Sequence, residues 1–201
     1  MINWGNSIGS NTPESEETSK PKQPEVTSVE NRIYFYSEVE RDKTLQLNKM
    51  LRDIDNDHTS LKIKTDANEL LPIYIHINSY GGSLHAGLSS MDNILLCKSP
   101  VITIVDGICA SAATFISVAG KRRQMTKHSM MLIHQISSAF WGKYSEFEDE
   151  KKNLDKCMDI IKGIYKEYTK IPSEKLDDIL KHDLYFTADE CLQYGLIDEI
   201  I

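Results

Sequence analysis

Long apolar runs are missing from this chain. Its most apolar strand-like stretch, Val101–Val105, is far too short to cross a bilayer. The opening residues, MINWGNSIGS, lack a basic start followed by an apolar core, so no secretory signal is expected. A basic excess is missing too: 23 Lys and Arg face 30 Asp and Glu, a net charge of −7, which argues against general nucleic-acid binding. Cysteine is sparse. Cys97, Cys109, Cys157 and Cys191 form no C-x-x-C pair and have no histidine cluster beside them, so neither zinc nor a disulfide framework is expected. They read as small buried thiols in a reducing compartment. There is no G-x-x-x-x-G-K-[ST] phosphate loop and no dinucleotide fingerprint.

What is present suits one α/β domain behind a tail. Hydrophobic residues make up 40% of the 201 and charged residues 26%, enough to bury a sizeable core. Residues 1–31 are rich in Ser, Thr, Glu, Asn and Pro and poor in large aliphatics, so they are expected to stay a polar, disordered tail. Residues 32–36 read as a short strand. Leu45, Leu47, Met50, Leu51 and Ile54 make a helical stripe over 42–54, and the polar stretch 55–71 reads as a loop. Strands are expected over 73–77, 101–105 and 130–133. The stretch beginning at Gly107 reads as a small-residue turn, and Lys121-Arg122-Arg123 as a solvated turn. A helix carrying Leu84, Leu88, Met91 and Ile94 follows Gly81-Gly82. A long one over 145–169 carries the seam Leu154, Met158, Ile161, Tyr165 and Tyr168. Ser173 is expected to cap a short helix, and Thr187 with Glu190 to form a capping box. Repeated strand–turn–helix units favour parallel strands with right-handed crossovers, and chemistry where strands end.

Three strand ends carry candidates. Gly81-Gly82 can turn backbone N–H groups outward to hold an oxyanion, or can be an ordinary turn. Ser111 heads a helix, where the N–H of Ala112 is free to donate; it suits a nucleophile, and equally a plain N-cap. Its flanks, Cys109 and Ala113, do not fit the G-x-S-x-G elbow. His134 ends an apolar strand and can act as a general base or simply pack. Asp183 could orient that base. These residues alone allow a serine hydrolase and do not compel one.

Taken in order, Ile75-His-Ile-Asn-Ser-Tyr-Gly-Gly-Ser83, Gly107-Ile-Cys-Ala-Ser-Ala-Ala113, Met131-Leu-Ile-His-Gln135, His182-Asp-Leu-Tyr-Phe-Thr-Ala188 and Tyr194-Gly-Leu-Ile-Asp198 resemble ClpP, the family of proteolytic subunits of the ATP-dependent Clp protease. The resemblance covers residues 32–201 and implies the ClpP/crotonase-like α/β fold of β-β-α units. It includes a protruding handle over about 136–169, a strand plus a long helix, with Gly142 matching a family glycine in that strand. It implies a serine endopeptidase with Ser111 as nucleophile, His134 as base and Asp183 as orienting carboxylate. The backbone N–H groups of Gly82 and Ala112 would form the oxyanion hole. It implies no metal and no cofactor, ATP being used only by a separate AAA+ unfoldase. It implies a homo-oligomer, a heptameric ring that can stack as a tetradecamer, acting on peptides or unfolded proteins. The expected location is the cytoplasm, or an organelle or host cytoplasm.

The departures from the family pattern are specific. Tyr80 and Ile136 stand where the family has proline, and either can reshape the cleft. Ala112 replaces a methionine, and the segment between Ser111 and His134 is about two residues short. Lys181-His182 replaces an acidic–Arg pair that in the family links ring stacking to the site, which makes ring contacts sensitive near pH 6–7 an expectation. The family's apolar N-terminal docking segment has no clear match in the polar residues 1–31, and about ten extra residues fall near 57–71. Three rival readings remain: a crotonase-type acyl-CoA enzyme, a ClpP-type phage head-maturation protease without an ATPase, and a catalytically silent ring subunit.

Overall fold

The computed structural model describes residues 26–201. Strand β1 (Val26–Val29) pairs antiparallel with β2 (Arg32–Phe35) through a turn at Glu30, which stands at φ +53°. The described residues therefore begin inside the expected tail, and residues 1–25 lie outside them. Val26 is buried against the core, a hydrophobic anchor that the polar composition around it hides.

Helix α1 (Arg41–Thr65) leads to β3 (Ile73–Ser79), α2 (Leu84–Leu95) and β4 (Val101–Ala110). β2, β3 and β4 are parallel neighbours. On β3 burial alternates strictly. Ile73, Ile75 and Ile77 are sealed from solvent, while Tyr74, His76 and Asn78 are half-buried on the other face. Each sealed isoleucine contributes roughly 1.5–3 kcal/mol of burial. The expected loop at 55–71 is helix as far as Thr65, because its polar residues have partners distant in sequence. Asp55 accepts the N–H of Lys98 at 3.1 Å and of Ser99 at 2.7 Å, and His58 Nδ1 meets the Leu71 carbonyl at 2.9 Å.

β4 does not stop at Val105. Its first half pairs with β5 (Arg122–Met125), and its second half leaves to pair with β6 (Met130–Leu132). The fork lies at Gly107, φ +112°, where a Cβ would come within 2.6 Å of the Asn78 amide nitrogen. Gly107 therefore lets the strand bend and continue through Ala110, where the composition suggested a turn. Helix α3 (Ala113–Val118) follows and packs on α2.

Arg122 and Arg123 belong to β5 and are not a solvated turn. Arg123 Nε donates to Asp198 Oδ2 at 3.0 Å, beside the closing pairing of β5 with β8 (Glu199–Ile200). Helix α4 (Tyr144–Tyr168) is the long helix expected, with Ile161 and Tyr165 buried on its seam. No strand precedes it: residues 133–143 have no strand partner among the described residues, so an extended handle lacks the neighbour that would make it β. Gly142 is explained locally, since a Cβ there would meet Glu146 Oε2 at 2.5 Å. Helix α5 (Ser173–Ile179) has Pro172 at its N-cap position with no side-chain cap, and Ser173 lies already inside the helix. The strand β7 (Phe186–Thr187) pairs with β6 and runs into α6 (Ala188–Gln193), where the Thr187–Glu190 capping box forms. Among the described residues no helix is long and apolar enough to cross a membrane.

Candidate active site

Ser111 is the first residue beyond β4. Its φ is +54°, a left-handed conformation unusual for a residue with a Cβ, so it does not take the plain N-cap geometry. Its N–H donates to the Leu132 carbonyl at 2.8 Å, and its own carbonyl accepts from the Thr114 N–H at 3.0 Å. This turn lifts the hydroxyl off the strand axis toward β6. Because Ala110 is in register with Leu132, His134 emerges beside it two residues on. His134 Nε2 lies 2.8 Å from Ser111 Oγ.

The other ring nitrogen, Nδ1, lies 3.0 Å from Asp183 Oδ1. Asp183 arrives on a loop held at both ends. Gln135 N–H donates to the Leu180 carbonyl at 2.7 Å at the end of α5, and Met131 pairs with Phe186 beyond the loop. His134 is mostly covered, whereas the Asp183 side chain is 76% exposed.

The Gly81-Gly82 turn abuts Ser111. A Cβ on Gly81 would sit 2.7 Å from Ser111 Cβ and 3.1 Å from the Ala112 nitrogen. Val39 clamps the turn from behind: its N–H donates to Gly81 O at 2.7 Å and its carbonyl accepts from Ser83 N–H at 2.8 Å. Ser79 Oγ, buried, accepts the Gly81 N–H at 3.1 Å. The N–H groups of Gly82 and Ala112 line the same cleft with no hydrogen-bond partner among the described residues.

That cleft encloses about 690 Å³ beside Ser111 and His134. Its apolar wall is Phe115, Leu154, Ile161 and Tyr165, and its rim on α4 carries Glu150, Asn153 and Lys156. Ile136 lines it, as expected of a cleft-shaping replacement. Tyr80 does not, and lines a separate hollow that Glu38 and Glu40 also border. His182 faces Asp178 of its own chain at 4.0 Å. All four cysteines are free thiols, and burial pushes Cys97 up to about 11 and Cys191 up to about 12. Among the described residues no group of three or more His, Cys, Asp or Glu side chains could hold a metal ion.

Val39, Ser79 and Thr114 support the site without any local sequence signal, and Tyr165 was legible only as part of the α4 seam, not as a site residue. Val39 and Tyr165 act through contacts tens of residues away, and the hydroxyls of Ser79 and Thr114 look like ordinary strand and helix residues. Hydroxyl, imidazole and carboxylate in one chain of contacts, at the edge where parallel strands end, form the constellation of a serine hydrolase.

Comparison with known proteins narrows that class. The model of the Clp protease family matches residues 28–201. The chain is 35% identical over 131 residues to an ATP-dependent Clp protease proteolytic subunit of Deinococcus radiodurans, a match spanning 64% of each chain. It is 36% identical over 134 residues to proteolytic subunit 1 of Chlamydia caviae, covering 65% of this chain and 70% of that one. With proteolytic subunit 2 of Prochlorococcus marinus it shares 31% over 188 residues, 91% of this chain and 93% of the relative. The chain belongs to the Clp protease family and is a serine protease subunit of that type.

Proposed function

We propose that Ser111, His134 and Asp183 form the catalytic triad of a self-compartmentalising endopeptidase. The observation that carries this reading is the continuous contact chain from Ser111 Oγ to His134 Nε2 at 2.8 Å and from His134 Nδ1 to Asp183 Oδ1 at 3.0 Å. Ser111 Oγ attacks the carbonyl carbon of the scissile peptide while His134 Nε2 takes its proton. The C–N bond breaks as that proton passes to the leaving amine. Water, deprotonated by His134, then releases the acyl group and restores the serine. Asp183 holds the imidazole in the tautomer that leaves Nε2 free to accept. The N–H groups of Gly82 and Ala112 receive the oxyanion, a stabilisation worth roughly 3–4 kcal/mol per donor in comparable sites. The apolar cleft wall suits an extended peptide with an apolar side chain beside the scissile bond. No metal or organic cofactor takes part.

The working unit in this reading is a homo-oligomeric ring, heptameric and able to stack, in the cytoplasm. Large apolar side chains exposed on the single chain, Trp141 at 97% and Tyr144 at 80% among them, support burial against further copies. The relatives are named ATP-dependent, and this chain carries no phosphate-binding loop, so a separate AAA+ unfoldase of the Clp type supplies unfolded substrate. The test is hydrolysis of short fluorogenic peptides by a size-exclusion peak of known mass, beside Ser111→Ala. Activity lost in the variant, with a fluorophosphonate mass shift on Ser111 in the parent, is the expected result. A well-formed ring whose Ser111 takes no label would instead mark a silent structural subunit.

A further inference from the structure

Ser111 is held in its left-handed conformation by its carbonyl as much as by its N–H. That carbonyl accepts the Thr114 hydroxyl at 2.6 Å as well as the Thr114 N–H. A carbonyl only accepts, so the single hydroxyl hydrogen of Thr114 is committed to it. Thr114 Oγ1 also lies 2.7 Å from the phenol oxygen of Tyr165. With the threonine hydrogen already used, the phenol must be the donor. A directed relay results: Tyr165 O–H to Thr114 Oγ1, and Thr114 O–H to the Ser111 carbonyl.

Both relay residues are sealed from solvent, Thr114 at 0% and Tyr165 at 1% exposure. Their burial keeps bulk solvent from these hydrogens, and among the described residues the Tyr165 hydroxyl has no hydrogen-bond partner other than Thr114. Burial also pushes the phenol well above its ordinary range, which keeps the donor protonated. Tyr165 sits on α4, the helix that supplies Leu154, Cys157 and Ile161 to the cleft, and its ring packs 6.0 Å from that of Phe115. The helix that lines the cleft is thus joined through two hydroxyls to the backbone of Ser111.

We propose that Tyr165, acting through Thr114, is a positioning residue that sets the backbone of the nucleophile and so the line of Ser111 Oγ to His134. The inference rests on Ser111 being the nucleophile. Neither residue touches the reacting atoms. The role of Tyr165 is to fix the Ser111 turn, and Thr114 transmits it.

The test is the acylation kinetics of Ser111 with a fluorophosphonate, which separates the maximal acylation rate from reagent affinity, in the full-length oligomer. Tyr165→Phe keeps the ring that lines the cleft and removes only the hydroxyl. It should lower the maximal acylation rate by about tenfold, the scale of one buried hydrogen bond, with affinity unchanged. Thr114→Val should be at least as slow, and Thr114→Ser, which keeps the hydroxyl, should recover most of the parent rate. The double variant Tyr165→Phe/Thr114→Val should be no slower than Thr114→Val alone, because both substitutions cut one relay. If Thr114→Val fails to fold, Tyr165→Phe and Thr114→Ser carry the test. Parent-like acylation by Tyr165→Phe overturns the proposal. So does a change confined to affinity, or a Thr114→Ser variant as slow as Thr114→Val. If the parent itself takes no label at Ser111, the reading of the site falls, and the relay loses its role with it.

Discussion

At Gly81 the backbone stands at φ +96°, and a methyl group there would press on Ala110 O at 2.6 Å and Ser111 Cβ at 2.7 Å. Neither contact is the end of a flexible chain, so the clash cannot be relieved without moving the Ser111 turn itself. Gly81→Ala is therefore expected to cost at least about 1–2 kcal/mol in backbone strain alone and to lower peptide hydrolysis by more than ~100-fold. Thermal melts and peptide assays on one preparation would check both. Asp183 presents the opposite case. Its carboxylate reaches His134 at 3.0 Å from a side chain that is 76% exposed. A buried orienting aspartate is worth roughly 10⁴ in turnover, and solvent around this one weakens its field. Asp183→Asn should lower kcat by roughly 10²–10³-fold with little change in KM, read by steady-state kinetics. A loss as large as that from Ser111→Ala would show that assembly buries the carboxylate.

Among the elements, β3, the α4 seam and the Thr187–Glu190 capping box were legible from pattern because burial and capping there follow local periodicity. The second half of α1 was not. Residues 55–65 look like loop by composition, and what holds them helical is Asp55 meeting Lys98 and Ser99, more than forty residues away. Burial alone would raise the Asp55 carboxyl, but the two N–H donors outweigh it and hold the group below its ordinary range. Asp55→Ala should unpair both donors, cost roughly 1–3 kcal/mol, and remove hydrogen-exchange protection from residues 55–65 while peptide hydrolysis persists. β4 misled for a related reason: Gly107 to Ala110 read as a turn, yet the Met130–Leu132 strand supplies the neighbour that keeps them extended. Ser111, His134 and Asp183 were legible as a set only through their order along the chain. Their convergence depends on the β4–β6 register and the β6–β7 pairing, which no local pattern encodes.

Across the whole molecule, two partly exposed arrangements contribute to the response to acid. Arg123 holds the Asp198 carboxyl below 3.8, so the folded state binds this proton less readily than the unfolded one. That stability is present above the unfolded value and is lost as pH falls through the lower folded value. His76 shifts in the same direction for a different reason. Burial pushes its imidazole below 6.5, Asp106 at 3.6 Å opposes that shift, and Arg32 adds to it. A base that is harder to protonate when folded destabilises the fold as pH falls below 6.5. Thermal denaturation between pH 8 and 3 should therefore show a shallow decline beginning near pH 6.5 and a steeper one below about pH 4. His76→Gln should remove the first decline and Asp198→Asn should soften the second.

The three members of the proposed triad are carried by unequal parts of this molecule. Ser111 continues a ten-residue strand whose first half is mostly buried in the core, and His134 follows its parallel neighbour. Asp183 rides an exposed loop between a seven-residue helix and a two-residue strand. Warming should release them in that order reversed. There is thus a span of temperature in which turnover of peptides has already failed while Ser111 is still acylated by a strongly activated reagent. In that span the protein is a scarred but foldable enzyme, and cooling alone should return it to work.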